Sequence, residues 1–321
     1  MYSFKSVFAD KLDSMLVFRI ARGYKRDTYL NHYIRFDCYC YDQKYENPEL
    51  TLDLVHEWLE SDGTSELAKR ATAIRLFGQY LDAIGETAYV LPNKYAVGGK
   101  PNPPYIFTDD EMTALFAAID MLKPTGSEPY LNEIAPILFR LIYTCGLRPN
   151  EGRELLAESV NLDTGEILIT HTKRNKERIV VMSDDMLAMS REYNLRRGAF
   201  GGNNPSFFPS NCGGPLTNEK VYSAFNKAWG VARRSLECPI LTPVRVYCLR
   251  HRFASSCLNR WLDEGENLMA MLPYLSVYMG HAKLSETAYY IHILPENLIM
   301  SPGVDWDALN AILPEVSKCP D

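Results

Sequence analysis

The sequence has little of what many protein classes require. No apolar run approaches the roughly 20 residues that a membrane-crossing helix needs, so an integral membrane protein is not expected. The opening Met1-Tyr2-Ser3-Phe4-Lys5 has neither the apolar region nor the small-residue cleavage site of a secretory signal, and a cytoplasmic location is expected. The eight cysteines form no C-x-x-C pair and read as isolated thiols rather than a disulfide framework. The six histidines form no H-x-x-x-H pair and no Cys/His cluster, so no metal is expected. Neither G-x-G-x-x-G nor G-x-x-x-x-G-K-[ST] occurs, so no nucleotide and no other cofactor is expected. Positive charge is not in excess either. Thirty-four Lys and Arg stand against 40 Asp and Glu, for a net charge of −6. Any attraction to nucleic acid must therefore come from local basic patches.

What is present is ordinary globular composition, 46% hydrophobic and 23% charged, over 321 residues, a length that suggests two domains. Residues 1–91 read as helical. An aromatic stretch at 26–41 places Tyr29, Tyr33 and Phe36 three or four apart. A cleaner helix follows Thr64-Ser65, with Leu67, Ala71, Ile74, Phe77, Leu81 and Ile84 on one stripe and Gly85 as a stop. Lys25, Arg26, Lys69, Arg70 and Arg75 lie on or beside these helices, as a solvated face or a binding face. Residues 92–107 hold Pro92, Gly98, Gly99, Pro101, Pro103 and Pro104, which suits a linker and neither a helix nor a central strand. The second domain, 108–321, starts at the capping box Thr108-Asp109-Asp110-Glu111. It reads as mainly helical around a small antiparallel sheet, with strands near 166–172 and 178–183 joined by a charged turn at 173–177. Helices are predicted at about 130–145, 218–234, 248–262, 266–279 and 285–292. A long Gly/Asn/Pro loop covers 199–217, and an amphipathic piece runs from Trp306 to Val316.

Four separated segments carry candidate chemistry: Cys145-Gly146-Leu147-Arg148-Pro149-Asn150-Glu151; Thr172-Lys173-Arg174-Asn175-Lys176-Glu177-Arg178; Tyr247-Cys248-Leu249-Arg250-His251; and Met279-Gly280-His281 with Thr287-Ala288-Tyr289-Tyr290 behind it. Each alone has a plain structural reading, as a helix start, a helix turn, a helix end or core aromatics. Together, in this order, they resemble the tyrosine recombinase (phage integrase) family. That family has an Arg after a T-G-L motif, a Lys in a β-hairpin turn, H-x-L-R-H, an L-G-H box, and a nucleophilic Tyr nine residues after the box histidine. The corresponding residues here are Arg148, Lys173, Arg250, His281 and Tyr290, with Glu151 and His251 as supporting groups. Tyr247 stands where the family usually has the first His of H-x-x-R. Lys176 competes with Lys173, and Tyr289 with Tyr290; the start of the turn favours Lys173, and the nine-residue offset favours Tyr290.

The resemblance implies a two-domain DNA clamp: a helical core-binding domain, a linker and a catalytic domain. It implies a compact mobile-element integrase, without a further arm-binding domain ahead of the core-binding helices. Arg148 and Arg250 would grip the non-bridging oxygens of a phosphodiester with paired N–H donors. Tyr290 would attack phosphorus to leave a 3′-phosphotyrosyl enzyme, Lys173 would protonate the departing 5′-oxygen, and His281 would hydrogen-bond a non-bridging oxygen. Tyr247 would donate to the phosphate, but an ordinary phenol is a poorer base than imidazole. The acceptor of the Tyr290 proton is therefore open. Glu151 and His251 would brace the arginines. The implied partners are double-stranded DNA with inverted-repeat core sites, a homo-tetramer on paired sites, and a directionality factor. The C-terminal piece would dock on its own domain or on a neighbouring protomer. Two rival readings share some of these residues: a chromosome-dimer resolvase or type IB topoisomerase-like enzyme, and a DNA-binding accessory protein with weakened catalysis.

Overall fold

The computed structural model describes residues 2–24, 26, 28–61, 66–93, 95, 104–170, 177–236 and 244–291. The chain divides into two compact units, Met1–Asn102 and Pro103–Asp321. It is mainly helical, and the described residues include one two-stranded antiparallel sheet. No described helix is long and apolar enough to cross a membrane.

The first unit contains α1 (Ala9–Ala21), α2 (Leu30–Asp42), α3 (Leu52–Glu60) and α4 (Leu67–Ala83). Its centre is aromatic. Phe36 packs against Phe8, Trp58 and Phe77, with ring centroids 5.5, 5.3 and 6.0 Å away. Edge-to-face and tilted contacts of this kind add to the stabilisation from buried apolar area. Asp37 is fully buried and accepts hydrogen bonds from the backbone amides of Lys5 and Ser6 at 2.9 Å, which ties the N-terminal segment to α2. Two of the cations that the sequence leaves open as a solvated or binding face have other employment. Arg70 is fully buried against the Trp58 ring and donates to the carbonyls of Trp58 and Leu59. Arg75 donates to the carbonyls of Leu91 and Pro92, each at 2.8 Å. Lys25 lies outside the described residues.

The second unit is built on α6 (Leu131–Thr144), whose apolar side chains are buried on almost every face. Packed round it are α5 (Asp109–Asp120), α8 (Asp184–Phe200), α9 (Asn218–Ser235) and α10 (Tyr247–Asp263). The short α7 (Pro149–Arg153) follows α6 directly. β1 (Glu166–Ile169) pairs with β2 (Arg178–Val181) in the register Glu166↔Val181 and Ile169↔Arg178. Beyond α10, α11 (Leu268–Met279) packs on β2 and on α12 (Leu284–Ala288). The charged turn at 171–176 and the C-terminal piece from 292 onward lie outside the described residues.

Two elements differ from expectation. α8 was not assigned from sequence, because its 17 residues bury only Met186, Ser190 and Tyr193 and show no apolar stripe. The helix expected at 285–292 stops at Ala288. A tighter bond from the Tyr290 amide to the Thr287 carbonyl turns the chain there.

The entry to the second unit is fixed by chemistry visible in its sequence. Thr108 accepts from the Glu111 amide at 3.2 Å, and the Glu111 carboxylate accepts from the Thr108 amide at 2.8 Å. Both are otherwise unpaired donors at the start of α5. Replacing Thr108 by Ala is expected to lower stability by about 1 kcal/mol, measured by urea unfolding, without changing helix content. A loss near zero would mean that the cap contributes nothing to holding the helix start.

Candidate active site

The site is assembled where two helices end. α6 stops at Cys145, and Gly146 turns the chain with φ +60°; a Cβ there would lie 2.5 Å from the Phe253 ring. This close approach and left-handed backbone suit only glycine. Arg148 then caps α7, with Pro149 in the first turn. In the same way α11 ends at Gly280, with φ +66°, and His281 follows.

Glu151, three residues into the new helix, is the negative centre. Its buried carboxylate accepts from the Arg148 amide at 2.9 Å and the Arg148 Nη1 at 2.7 Å. It also takes both Nη groups of Arg178, at 3.0 and 2.7 Å, in the paired geometry that guanidinium and carboxylate favour. Burial pushes its pKa up, but Arg178 and Arg148 outweigh this and hold it at about 2. Arg178 follows the charged turn between the two strands, where a basic residue would be expected to face solvent. It points inward instead, only 8% exposed, and Nε donates to the Tyr278 carbonyl at 2.8 Å.

Arg250, in the first turn of α10, is fully buried. It donates to the carbonyls of Gly146 and Met279, each at 2.7 Å, while Arg148 donates to the Gly280 carbonyl at 2.8 Å. These oxygens lie at the C-terminal ends of α6 and α11, where helix carbonyls carry partial negative charge. Burial pushes the Arg250 pKa down, yet a guanidinium stays charged at any working pH. For Arg148 burial acts in the same direction, but Glu151 and the Tyr247 hydroxyl outweigh it and raise the pKa.

His281 lies with Nε2 3.0 Å from Arg250 Nη2 and Nδ1 2.7 Å from the Thr287 hydroxyl. Arginine can only donate, so Nε2 is the acceptor and the ring proton is on Nδ1, donated to Thr287. Burial, then Arg250 and Arg148, lower its pKa to about 3, so the ring is neutral at physiological pH.

Tyr290 is 3% exposed, its ring parallel to His281 with centroids 6.2 Å apart. Its hydroxyl is 3.0 Å from His251 Nδ1, and burial raises its pKa above the ordinary phenol range. Tyr289 next to it is 40% exposed. Tyr247 lies edge-on to His251 at 4.9 Å, one helical turn earlier on the same face of α10.

Among the described residues the structure thus brings together Arg148, Glu151, Tyr247, Arg250, His251, His281 and Tyr290. Lys173 and Lys176 lie outside them. His251 was expected to brace the arginines; its recorded hydrogen bond goes to the Tyr290 hydroxyl. Sequence reasoning missed Arg178 as the second partner of Glu151, and Thr287 as the residue that accepts the His281 Nδ1 hydrogen. For Thr287 the only sequence signal was a small hydroxyl residue six positions after the histidine.

Glu151→Gln is expected to destabilise the protein by about 3–5 kcal/mol at pH 7, read by urea unfolding, because it leaves buried guanidiniums without their carboxylate. The folded-state pKa, about 2, lies below the ordinary 4.5. The carboxylate's contribution is therefore complete above about pH 4.5 and is lost as pH falls towards 2. The difference between wild type and variant should shrink between pH 5 and pH 3. A difference that stays constant over that range would mean Glu151 is not the group holding the site.

Compared with known proteins, residues 106–297 match the phage integrase family. The putative integrase/recombinase y4rE of Sinorhizobium fredii is 27% identical over 303 residues, covering 91% of this chain and 93% of that protein. The tyrosine recombinase XerD of Pseudomonas aeruginosa is 31% identical over 199 residues, covering 61% of this chain and 59% of XerD. Two solved structures share the fold at a TM-score of 0.61. The XerH site-specific recombinase bound to palindromic difH substrate is 19% identical and covers 88% of this chain and 80% of its own. The Tn1549 transposon integrase in complex with transposon right end DNA is 14% identical and covers 92% and 97%. The family match spans more than half of the sequence and takes in every residue of the cluster just described. The chain belongs to the phage integrase family and is a tyrosine recombinase.

Proposed function

We propose that this recombinase cleaves and rejoins duplex DNA at specific sites through Tyr290, and that it integrates or excises a mobile element. The observation that carries this reading is the position of the Tyr290 hydroxyl. It is buried beside Arg250, Arg148 and His281, and hydrogen-bonded to His251. The mobile-element role rests on the resemblance to compact integrases and on the match to a putative integrase/recombinase, y4rE, over 91% of this chain.

A phosphodiester resists attack because its own negative charge repels a nucleophile. Arg148 and Arg250 are proposed to hold its non-bridging oxygens. Preorganised positive charge there would stabilise the extra charge that builds up in the pentacoordinate transition state. Tyr290 Oη bonds to phosphorus as the bond to the 5′-oxygen breaks, leaving a 3′-phosphotyrosyl enzyme. Lys173 is proposed to protonate the 5′-oxygen, for which its pKa must fall from about 10.4 towards neutrality. The covalent link conserves the phosphodiester bond, so the 5′-hydroxyl of another strand can reverse the step. Because Nε2 of His281 is an acceptor in the free site, its proposed hydrogen bond to the phosphate needs Nε2 to take up a proton or exchange tautomer as DNA enters.

We assign double-stranded DNA as the partner, with inverted-repeat core sites and a homo-tetramer on two such sites. The first unit would serve as the core-binding half of a clamp, using Lys69 and other exposed cations for phosphate contacts.

The test is covalent capture. A duplex selected by the full-length chain from a randomised inverted-repeat library is nicked to make a suicide substrate, then incubated with wild type and Tyr290→Phe. Wild type is expected to yield a DNA–protein adduct that mass spectrometry places on Tyr290, and the Phe variant none. An adduct on Tyr289 would overturn the assignment of the nucleophile. Tight binding without any adduct would favour a DNA-binding accessory protein.

A further inference from the structure

The recombinase reading leaves one proton without a destination. Tyr290 must lose its phenolic hydrogen when it attacks, and Tyr247 stands at the position where the family resemblance leads one to expect a histidine. Taking that reading as its basis, we infer that His251, one helical turn after Tyr247, is the general base that accepts the Tyr290 proton through Nδ1.

Three observations carry this. The distance is that of a hydrogen bond, 3.0 Å from Nδ1 to Oη. The surroundings of the bond suit one direction. The Arg250 guanidinium also bears on the Tyr290 oxygen, and as a pure donor it can only supply hydrogen to that oxygen. With Arg250 donating to that oxygen, the phenolic hydrogen is proposed to point at His251, whose Nδ1 then offers the lone pair and whose ring hydrogen is on Nε2. The other histidine is unsuited to the task. His281 has Nε2 occupied by Arg250 and Nδ1 by Thr287, the opposite tautomer with no lone pair for Tyr290.

The resting state is silent, as a reversible enzyme requires. Burial, then Arg250, lowers the His251 pKa to about 4, and burial raises that of Tyr290. Transfer is therefore uphill until a phosphodiester anion sits against Arg148 and Arg250. That anion offsets the positive charge which depresses His251. As Oη shares its electrons with phosphorus, its proton becomes acidic and moves to Nδ1. The bond formed is Oη–P and the bond broken is P–O5′. The departing 5′-oxygen is protonated by the general acid, and the imidazolium keeps the phenolic proton. In rejoining, the 5′-hydroxyl attacks phosphorus, the Oη–P bond breaks, and the imidazolium returns that proton to Tyr290. The charged or titratable groups recorded against the ring are Tyr247 and Arg250 from its own helix and Tyr290 from the segment after α12.

The experiment uses the full chain and the selected duplex with sulfur in place of the bridging 5′-oxygen. The thiolate leaves without a proton, so adduct formation reports only on the nucleophile. Wild type should react at a nearly constant rate from pH 7 to 9. His251→Ala should be slower at pH 7 by about 10²–10⁴-fold, rise tenfold per pH unit, and regain part of its rate in imidazole buffer. His251→Gln should bind the duplex with unchanged affinity and show the same pH slope, without rescue. If both variants keep the wild-type rate, or lose rate equally at every pH without rescue, His251 is not the base. No adduct from wild type on this duplex overturns the recombinase reading itself, and the inference with it. Should the variants not fold, nitrogen NMR of His251 in the wild-type free protein decides. Hydrogen on Nε2 is required, and hydrogen on Nδ1 overturns the assignment.

Discussion

A buried guanidinium repels others like it and needs oxygen acceptors for five N–H groups. Arg148, Arg178 and Arg250 converge on one small region, and only Arg148 keeps substantial exposure, with a quarter of its side chain open to solvent. The chain pairs most of these groups with a single carboxylate, Glu151, with carbonyls at two helix ends and with the His281 ring, while Arg250 Nε has no hydrogen-bond partner among the described residues. Gly146, just ahead of Arg148, gives its carbonyl to Arg250; Gly280, just ahead of His281, gives its carbonyl to Arg148. Segments far apart in sequence are thus cross-linked by the groups that a phosphate would contact. Glu151 offsets one of three positive charges, so the cluster retains an excess near +2. That excess is the electrostatic basis for expecting a phosphate there, although the whole molecule is acidic.

This arrangement explains which parts of the site could be read from sequence. Arg148, Glu151, Arg250, His281 and Tyr290 stand in an order and spacing that carry the family resemblance, and each falls at a helix start, a helix end or a turn marked by Gly or Pro. Arg178 was not legible in this role. It sits in a run of four basic residues, and composition alone cannot say that one of them turns inward while its strand partner Ile169 faces the core. Thr287 was hidden for a different reason, since its part is to accept the Nδ1 hydrogen of His281, which only a hydrogen-bond network defines. Outside the site, α8 escaped because it covers the core with only three buried side chains. Its start at Ser183-Asp184-Asp185, where Ser183 caps the Met186 amide, was the one available signal.

The first unit gives the matching lesson about charge. Arg70 and Arg75 resemble Lys69 in sequence, as cations on a helix. Arg70 is nevertheless a core residue whose guanidinium donates to the Trp58 and Leu59 carbonyls near the end of α3, and Arg75 ties α4 to the segment that follows it. Removing either would disturb packing as well as charge. A basic patch counted from sequence therefore overstates the charge offered to a partner. Lys69 differs, being exposed and paired with Glu66 at the surface, where such a pair contributes little to stability and is readily exchanged for a phosphate.

Burial and the neighbouring arginines push both site histidines towards the neutral form, and this bears on reversibility. Their surroundings differ less in charge than in which nitrogen each has committed. His281 spends its lone pair on Arg250, helping to fix the guanidinium that is proposed to face the scissile phosphate. His251 directs its lone pair to the nucleophile. Were either ring protonated before DNA arrived, the site would gain a further positive charge among arginines that Glu151 only partly balances, and Tyr290 would lose its acceptor. Burial prevents this by holding both pKa values near 3 to 4. In the proposed reaction a bound phosphate would relax that depression from the same direction in cleavage and in rejoining. The proton can then be held for as long as the phosphotyrosyl bond exists and returned when it breaks, with Arg250, fixed by the carbonyls of Gly146 and Met279, keeping the same position throughout.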